Sequence, residues 1–217
     1  MCFDVDSTVC SDEGIDELAA FLGCGEAVAA LTASAMGGSL PFQDALAGRL
    51  ALMRPSAAAL DAFLLSRPPP LTPGVADLVA TLHARGTSVC LVSGGFTQMI
   101  YPVADALRIP RSRVYANTIL FGDDGSYAGF DRSALTSRSG GKAAAVAAIR
   151  SGAPGGASPL VMVGDGATDA EARAPGGADA FVCFTGVISR PSVVAVADWV
   201  VGSFDELMQP LQQTNDK

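Results

Sequence analysis

Short apolar runs of strand length alternate with helical segments through the last two thirds of this sequence. The runs at residues 88–92, 160–163 and 180–184 are buried strands by their composition, and amphipathic or alanine-rich segments separate them. A further short apolar run, residues 2–5, begins the chain. Strands that alternate with helices are typical of a parallel sheet with helices on both faces. The pattern therefore predicts an α/β fold built on a doubly wound parallel sheet.

The segment between the first and second predicted strands has a different pattern. Apolar residues recur there every three or four positions, and glycine or proline separates the apolar series. This spacing predicts several amphipathic helices, and the Arg-Pro-Pro-Pro sequence at its end predicts a stiff linker. We therefore expect two parts: a core formed by residues 1–12 and 71–217, and a small helical-bundle cap formed by residues 13–70.

Composition excludes several classes of partner. The chain has 217 residues, 49% of them hydrophobic, and a net charge of −8. Nucleic acids and anionic membranes both require a basic surface, so we predict binding to neither. The five cysteines include no Cys-X-X-Cys pair, which is typical of reduced thiols in an intracellular protein. We expect a cytoplasmic protein and leave a homodimer open. Because the first strand starts almost at residue 1, we expect an upstream segment to be missing, which leaves an organelle open as well.

Four short polar stretches lie where predicted strands end or helices begin. They read DVDST from Asp4, SGG from Ser93, GGK ending at Lys142 and DGATD from Asp165. In an open parallel sheet, ligands bind outside the carboxyl ends of the strands. We therefore expect the four stretches to meet at one rim of the sheet.

Carboxylates dominate two of these stretches. Asp4, at a strand tip, can attack phosphorus as a nucleophile, and Asp6, two residues further on, points to the same side and can act as acid and then base. Asp165 and Asp169 are four residues apart and share one face if the turn is helical. Together with Asp4 they provide the oxygen ligands that Mg²⁺ prefers.

The other two stretches provide groups that bind anions. The Ser93 hydroxyl and the backbone N–H groups of Gly94 and Gly95 can surround phosphate oxygens. Lys142 adds a positive charge near a helix N-terminus, where anions are favoured. Each stretch alone has an ordinary structural interpretation, such as a turn, a helix cap or a solvated lysine. Their combination at one rim favours a site for a phosphate ester.

The same four stretches, in this order, resemble the four motifs of the haloacid-dehalogenase superfamily of phosphohydrolases. Nearly the whole chain further resembles the phosphoserine phosphatases of that superfamily, through DVDSTVCSDEGIDELA, AMGGSLPFQDALAGRLALM, LTPG, LVSGGF, FGDDGSYAGFD and VGDGATD. The resemblance implies that Asp4 is the nucleophile and Asp6 the acid and base. It also implies that Asp4, Asp165 and the Asp6 carbonyl bind Mg²⁺ with support from Asp169, while Ser93 and Lys142 hold the phosphate.

The resemblance also implies a substrate, O-phospho-L-serine. Its ammonium would pair with Glu13, and its carboxylate would pair with the forked guanidinium of Arg49. The remaining residues in matching positions are Met36 and Phe42 as pocket walls, Gly37 through its backbone, and Thr168 and Arg190 as further ligand contacts. Three alternatives stay open: a phosphatase for another small phosphomonoester, a receiver-like phosphorylation switch, which would lack both the helical insert and Asp6, and a non-catalytic scaffold.

Overall fold

The central sheet of this protein consists of six parallel strands. In spatial order they are β3 (Val114–Asn117), β2 (Cys90–Phe96), β1 (Cys2–Phe3), β6 (Val161–Gly164), β7 (Ala180–Phe184) and β8 (Trp199–Val201). A separate antiparallel hairpin pairs β4 (Ile119–Phe121) with β5 (Tyr127–Phe130). The computed structural model describes residues 1–34, 40–152 and 159–213. The first strand is central, so its carboxyl end lies in the middle of the rim where ligands bind.

Among the described residues, four α-helices lie in the predicted cap segment, between the first strand and the linker that ends at Pro70. They are α1 (Gly14–Phe21), α2 (Gly25–Ser34), α3 (Phe42–Met53) and α4 (Ala57–Ser66). Their apolar faces form one cluster that includes Leu18, Leu46 and Phe63, and this cluster continues into Phe96 of β2 and Ile119 of β4. The helices therefore pack against the core through the hairpin region. We call residues 13–70 the cap, and its boundaries remain a prediction.

The remaining helices cover both faces of the sheet. They are α5 (Val75–Ala84), α6 (Thr97–Ala106), α7 (Gly141–Gly152), α8 (Ala167–Ala170), α9 (Pro191–Val194) and α10 (Phe204–Gln213). Phe3 packs with residues of α5, α6 and α10 on one face, whereas its neighbour Cys2 packs with residues of α7 and α9 on the other. This alternation is the two-residue period of a strand. The prediction of a doubly wound α/β fold is confirmed. Among the described residues, none of the helices is long and apolar enough to cross a membrane.

The two chain segments that join cap and core run side by side. Cys10 and Leu71 form an antiparallel bridge. Arg67, at the end of α4, forms ion pairs with Asp12 and with Glu17, the latter at 2.6 Å between Nη1 and Oε2. One guanidinium thus holds the segment that enters the cap and the first cap helix together. The cap is therefore attached through a paired hinge rather than through two independent linkers.

Thr72 lies just before α5 but does not cap it. The helix has Gly74 at its N-terminal boundary, in a left-handed conformation with φ of 83°. The buried Thr72 hydroxyl instead donates a hydrogen bond of 2.7 Å to the carbonyl of Thr8. Thr72 therefore ties the end of the hinge to the turn that follows β1.

Candidate active site

A tight turn after β1 positions the first two aspartates. Asp4 donates its N–H to the carbonyl of Val163 at 2.9 Å, and its Oδ1 accepts the N–H of Val5 at 2.8 Å. The sequence suggested that strand alternation points Asp6 to the same side as Asp4. The strand ends at Phe3, however, so strand alternation does not place Asp6. It is placed by the turn Val5–Val9, in which Ser7 has a left-handed φ of 53° that is uncommon for a residue other than glycine.

Three buried carboxylates meet at the carboxyl edge of the sheet. One oxygen from each of Asp4, Asp165 and Asp169 lies within 4.8 Å of the others. The ammonium of Lys142 lies 2.8 Å from Asp4 Oδ2 and 2.7 Å from Asp169 Oδ1. Burial alone would lower the pKa of Lys142, but Asp169 and Asp4 raise it more strongly, so the lysine keeps its charge. Lys142 therefore partly neutralises two of the three carboxylates, those of Asp4 and Asp169.

The acidic cluster suits a divalent cation. Burial and the charge of Asp4 raise the pKa of Asp169 to about 7, even though Lys142 lowers it. A cation bound between the carboxylates would relieve this repulsion, and an all-oxygen donor set is the kind that Mg²⁺ takes. Asp169 already uses both oxygens, one with Lys142 and one with the N–H of Gly166 at 3.0 Å. Asp4 likewise uses both oxygens, with Val5 and Lys142, and so does Asp165, with Thr8 and Arg190. These contacts therefore do not rank the three carboxylates as ligands.

Asp6 lies in an enclosed setting of hydrogen-bond donors. Its Oδ1 accepts the N–H of Gly14 at 2.8 Å, and its Oδ2 accepts the hydroxyl of Ser93 at 3.2 Å. Burial, followed by the charge of Asp4, raises the pKa of Asp6 to about 7. A carboxyl group with this pKa is present in both protonation states near neutral pH. Asp6 is therefore able both to give and to take a proton.

The Ser-Gly-Gly stretch is part of a strand rather than a turn after it. Strand β2 continues to Phe96, so Ser93, Gly94 and Gly95 belong to its last half. The buried Ser93 hydroxyl also accepts the N–H of Gly95 at 2.9 Å. A Cβ atom at Gly94 would lie 3.1 Å from Cζ of Phe42 on α3. The absence of a side chain at Gly94 thus allows the Phe42 ring of the cap to pack against strand β2.

Two charged residues of the cap, Glu13 and Arg49, line the same cavity as the core residues described above. Glu13 accepts the hydroxyl of Ser7 at 2.6 Å, and burial raises its pKa above the usual value. Arg49 lies on α3, and its buried Nε atom has no hydrogen-bond partner among the residues that the structure describes. Burial lowers the pKa of the Arg49 guanidinium, an effect that Asp16 and Glu13 partly offset. A buried donor without a partner is costly unless a ligand supplies the acceptor.

One cavity of about 430 Å³ joins the core rim to the cap. The predicted site residues that line it are Asp4, Asp6, Glu13, Phe42, Arg49, Gly94, Gly95, Lys142, Asp165, Thr168, Asp169 and Arg190. Ser93 is buried behind its wall, and Met36 and Gly37 lie outside the described residues. The carboxylates and the ammonium of the core rim therefore line the same cavity as Glu13 and Arg49 of the cap.

Comparisons with known proteins agree with this geometry. The sequence model of the haloacid dehalogenase-like hydrolases matches residues 1–172. The chloroplastic phosphoserine phosphatase of Arabidopsis thaliana is 56% identical over 211 residues, which are 97% of this chain and 71% of that protein. The phosphoserine phosphatase of Bos taurus is 46% identical over 98% of this chain and 93% of its own length. A solved structure of a phospho-aspartyl intermediate analogue of phosphoserine phosphatase superposes with a TM-score of 0.73, at 26% identity and 96% coverage of both chains.

The chain belongs to the phosphoserine phosphatase family of haloacid dehalogenase-like hydrolases. The predictions of family and of enzyme class, a phosphoric monoester hydrolase, are confirmed. The receiver-like switch is therefore wrong. The roles assigned to individual residues remain predictions.

Two further predicted ligand contacts, Arg190 and Thr168, lie next to the carboxylate cluster. Arg190 forms an ion pair with the carboxylate of Asp165, and its Nη1 also donates to the Asp165 carbonyl at 3.2 Å. Thr168 is exposed on the short helix α8. The hydroxyl of Thr8 donates to Asp165 Oδ1 at 3.4 Å, a contact that the sequence did not suggest. Asp165 is thus held from both sides.

Some lining residues were missed by the sequence reasoning. They are Ile15, Thr32, Leu40, Ala45 and Gly166. Ile15 fits the apolar spacing of a helix, and helical periodicity does not distinguish a side chain in the core from one that faces a cavity. Thr32 belongs to no sequence motif. In the structure its hydroxyl donates to the carbonyl of Val28 within its own helix at 3.0 Å.

Proposed function

We propose that this enzyme hydrolyses O-phospho-L-serine to L-serine and phosphate through an aspartyl-phosphate on Asp4. One observation carries the proposal: the buried Nε of Arg49, which has no hydrogen-bond partner among the described residues, belongs to a side chain that lines the same cavity as Asp4. Phosphoserine has a phosphate at one end and an ammonium with a carboxylate at the other. The cavity is lined by Lys142 from the core and by Glu13 and Arg49 from the cap, so the charges of substrate and site are complementary.

In the first half-reaction, a carboxylate oxygen of Asp4 attacks phosphorus. A phosphorus–oxygen bond to Asp4 forms while the bond to the seryl oxygen breaks. A serine alkoxide is a poor leaving group, so it needs a proton as the bond breaks. Asp6 provides this proton, because its raised pKa of about 7 keeps a protonated fraction near neutral pH. Serine leaves as the neutral alcohol.

In the second half-reaction, water replaces serine. Asp6, now a carboxylate, takes a proton from the water as its oxygen attacks phosphorus. The bond between phosphorus and Asp4 breaks, which releases phosphate and restores the free carboxylate. The ammonium of Lys142, 2.8 Å from Asp4 Oδ2, offsets negative charge on the phosphoryl group in both steps.

We infer that Mg²⁺ is the divalent cation, with Asp4 and Asp165 as ligands and Asp169 in support. When bound, it would withdraw charge from the phosphoryl oxygens as a Lewis acid. A test that does not depend on turnover is thermal melting of chelator-treated protein with and without Mg²⁺. We expect the melting temperature to rise with Mg²⁺, and to rise much less in Asp165→Asn. An equal rise in both proteins would contradict this ligand assignment.

The substrate is tested by phosphate release over a panel of phosphomonoesters, with Mg²⁺ or with chelator. The panel contains phosphoserine, phosphothreonine, phosphoethanolamine and p-nitrophenyl phosphate. We expect the highest kcat/KM with phosphoserine, and loss of activity with chelator. A comparable kcat/KM for phosphoethanolamine, which lacks the carboxylate, would point to another small phosphomonoester as the substrate.

Partner and compartment complete the proposal. We infer that the enzyme acts on a small molecule in the cytoplasm or, like the Arabidopsis relative named chloroplastic, in an organelle. Imaging of a fluorescent fusion of the full gene product distinguishes these compartments. The homodimer remains a prediction, which sedimentation velocity would test.

A further inference from the structure

The cap helix α3 lacks an N-terminal cap of its own. Its boundary residue is Pro41, whose side chain has no acceptor. The N–H groups of Asp44 and Ala45 both donate to the Pro41 carbonyl at 3.0 Å. The first N–H of the helix, that of Phe42, has no acceptor within the helix, as is general for the first turn. Its partner must come from elsewhere.

The core supplies that partner. The N–H of Phe42 donates to the hydroxyl of Ser139 at 3.4 Å, and the N–H of Ser139 donates to Oε1 of Gln43 at 3.4 Å. The exchange is reciprocal, like a capping box in which a hydroxyl and an amide side chain each satisfy the other's backbone. Here the bonded residues are 97 and 96 positions apart in the chain, with Phe42 and Gln43 in the cap and Ser139 in the core.

Ser139 precedes a closely packed part of the core. It lies just before α7, three residues ahead of Lys142. A Cβ atom at Gly141 would lie 2.5 Å from the carbonyl oxygen of Leu135, so the backbone at Gly141 is packed closely against the preceding turn. The core thus presents the Ser139 hydroxyl two residues before this packed position. On the cap side, Gln43 lies on the same helix as Arg49.

We propose that Phe42, Gln43 and Ser139 form a cap latch, which holds α3 in place over the cavity while substrate is bound. The inference rests on the proposed function, because it concerns how the serine end of the substrate is enclosed. Ser139 and Gln43 act as positioning residues: they fix the helix that carries Arg49 and touch no reacting atom.

The weakness of the latch suits its role. Both bonds are 3.4 Å long, beyond the usual range of about 2.7–3.2 Å, and Ser139 is exposed to water. Two weak bonds are enough to bias a cap that must also open to release serine. The apparent affinity for a substrate falls in proportion to the fraction of enzyme in the competent conformation. Loss of the latch should therefore raise KM more than it lowers kcat.

The test compares Ser139→Ala and Gln43→Ala with a matched control, Ser203→Ala. The Ser203 hydroxyl also accepts a helix N–H at 3.4 Å, from Glu206 at the start of α10, but within the core. For phosphoserine we expect kcat/KM to fall about three- to tenfold in both latch variants, the usual effect of one lost cap. Ser139→Thr, which keeps the hydroxyl, should recover the activity, and Ser203→Ala should retain it.

p-Nitrophenyl phosphate separates the latch from damage to Lys142. It has no serine end for α3 to enclose, but it still needs Lys142, so its kcat/KM should be unchanged in both latch variants. An equal loss with both substrates would mean that Ser139 acts through Lys142, and the latch would be wrong. No loss with phosphoserine would also refute it. If Ser139→Ala fails to fold, Gln43→Ala decides by the same criteria.

A measurement without substrate separates the latch from the proposed function. The amide hydrogen of Phe42 should exchange faster in Ser139→Ala than in wild type, and at the wild-type rate in Ser203→Ala. If wild type released no phosphate from phosphoserine, the proposed function would fail, and the exchange rate would still decide on the latch. Unchanged exchange in Ser139→Ala would refute the latch alone.

Discussion

The core end and the cap end of the active site differ in how fully their charges are satisfied. At the core end, the ammonium of Lys142 lies 2.7–2.8 Å from the buried carboxylates of Asp4 and Asp169. At the cap end, considering the described residues, the Glu13 carboxylate has one hydroxyl partner and the Nε of Arg49 has none. The groups at the core end are thus organised in advance, whereas under the proposed function the groups at the cap end obtain their partners from the substrate.

The difference also appears in what carries the side chains. The core groups follow strand ends and tight turns that are hydrogen-bonded to the sheet, such as Asp4 to Val163. Arg49 lies on a helix that reaches the core through side-chain packing and the long bonds to Ser139. Small errors in the position of a reacting atom are costly in rate, while recognition tolerates a cap that moves. We expect substitutions at the two ends to differ in both size and substrate dependence.

The largest effect should come from the nucleophile. Asp4→Asn removes the attacking oxygen but keeps nearly the same shape, so we expect turnover to fall by about 10⁴-fold or more for every substrate. Phosphate release measures the loss, and circular dichroism checks that the protein is folded. Near-normal turnover by folded Asp4→Asn would exclude Asp4 as the nucleophile and with it the proposed mechanism.

The next effect should depend on the leaving group. Asp6→Asn cannot protonate the seryl oxygen, so formation of the phospho-enzyme from phosphoserine should slow by about 10²–10⁴-fold. p-Nitrophenolate leaves without a proton, so the same step should slow much less with p-nitrophenyl phosphate. Single-turnover kinetics with both substrates measures the ratio. Equal slowing would mean that Asp6 is needed for another reason, such as holding Ser93.

The cap end should show a smaller loss that depends on the substrate carboxylate. Arg49→Ala removes a charge-assisted pair worth about 1.5–3 kcal/mol, so kcat/KM for phosphoserine should fall about ten- to a hundredfold. Arg49→Lys should also lose activity, since an ammonium cannot form the forked pair. Phosphoethanolamine, which has no carboxylate, should be unaffected.

Glu13→Gln is the matched control for Arg49, because it should impair both of these substrates through their shared ammonium. If Arg49→Ala slowed phosphoethanolamine as much as phosphoserine, Arg49 would be a structural residue. The assignment of serine recognition to the cap would then be wrong.

Two glycines, Gly164 in the core and Gly48 in the cap, show how much room each part leaves for an added methyl group. In the core, a Cβ at Gly164 would lie 2.3 Å from Cγ of the buried Asp169; in the cap, a Cβ at Gly48 meets only the flexible tip of Leu31, at 2.8 Å. We expect Gly164→Ala to lower the free energy of unfolding by about 1–3 kcal/mol. Gly48→Ala should be near neutral, because better helix propensity offsets the contact. Urea denaturation measures both, and equal losses would contradict the contrast.

The smallest effect should be a pH dependence at the junction of the two ends. Burial raises the pKa of Glu13, and the hydrogen bond from Ser7 lowers it again in part. Ser7→Ala should therefore raise this pKa further, so that Glu13 loses its charge at a higher pH. We expect the acid limb of kcat/KM for phosphoserine to move to higher pH, with a loss of roughly fivefold on that limb for a bond of about 1 kcal/mol. An unchanged pH profile would mean that the Ser7 hydroxyl does not control the pKa of Glu13.

The sequence predicted the core end better than the cap end, for a physical reason. Asp4, Lys142 and Asp169 each lie in a short motif at a strand end or helix start, and parallel topology alone brings those places together. The pairing of Ser139 with Gln43 depends on how two distant segments pack, which no local pattern contains. The end of β2 was misplaced because Ser-Gly-Gly is common in turns, whereas here Phe96, beyond it, still pairs with Asn117 of β3.

The bridge between Cys10 and Leu71 has a consequence for how such enzymes diversify. Both ends of the inserted segment leave the core at adjacent positions, so the core needs no particular length or fold between them. The inserted segment is in this sense a replaceable part. A related cap grafted between residues 10 and 71 would keep the Cys10–Leu71 bridge and face the same carboxylate cluster. New substrates could then be acquired by exchanging one segment, without rebuilding the machinery that breaks the phosphate ester.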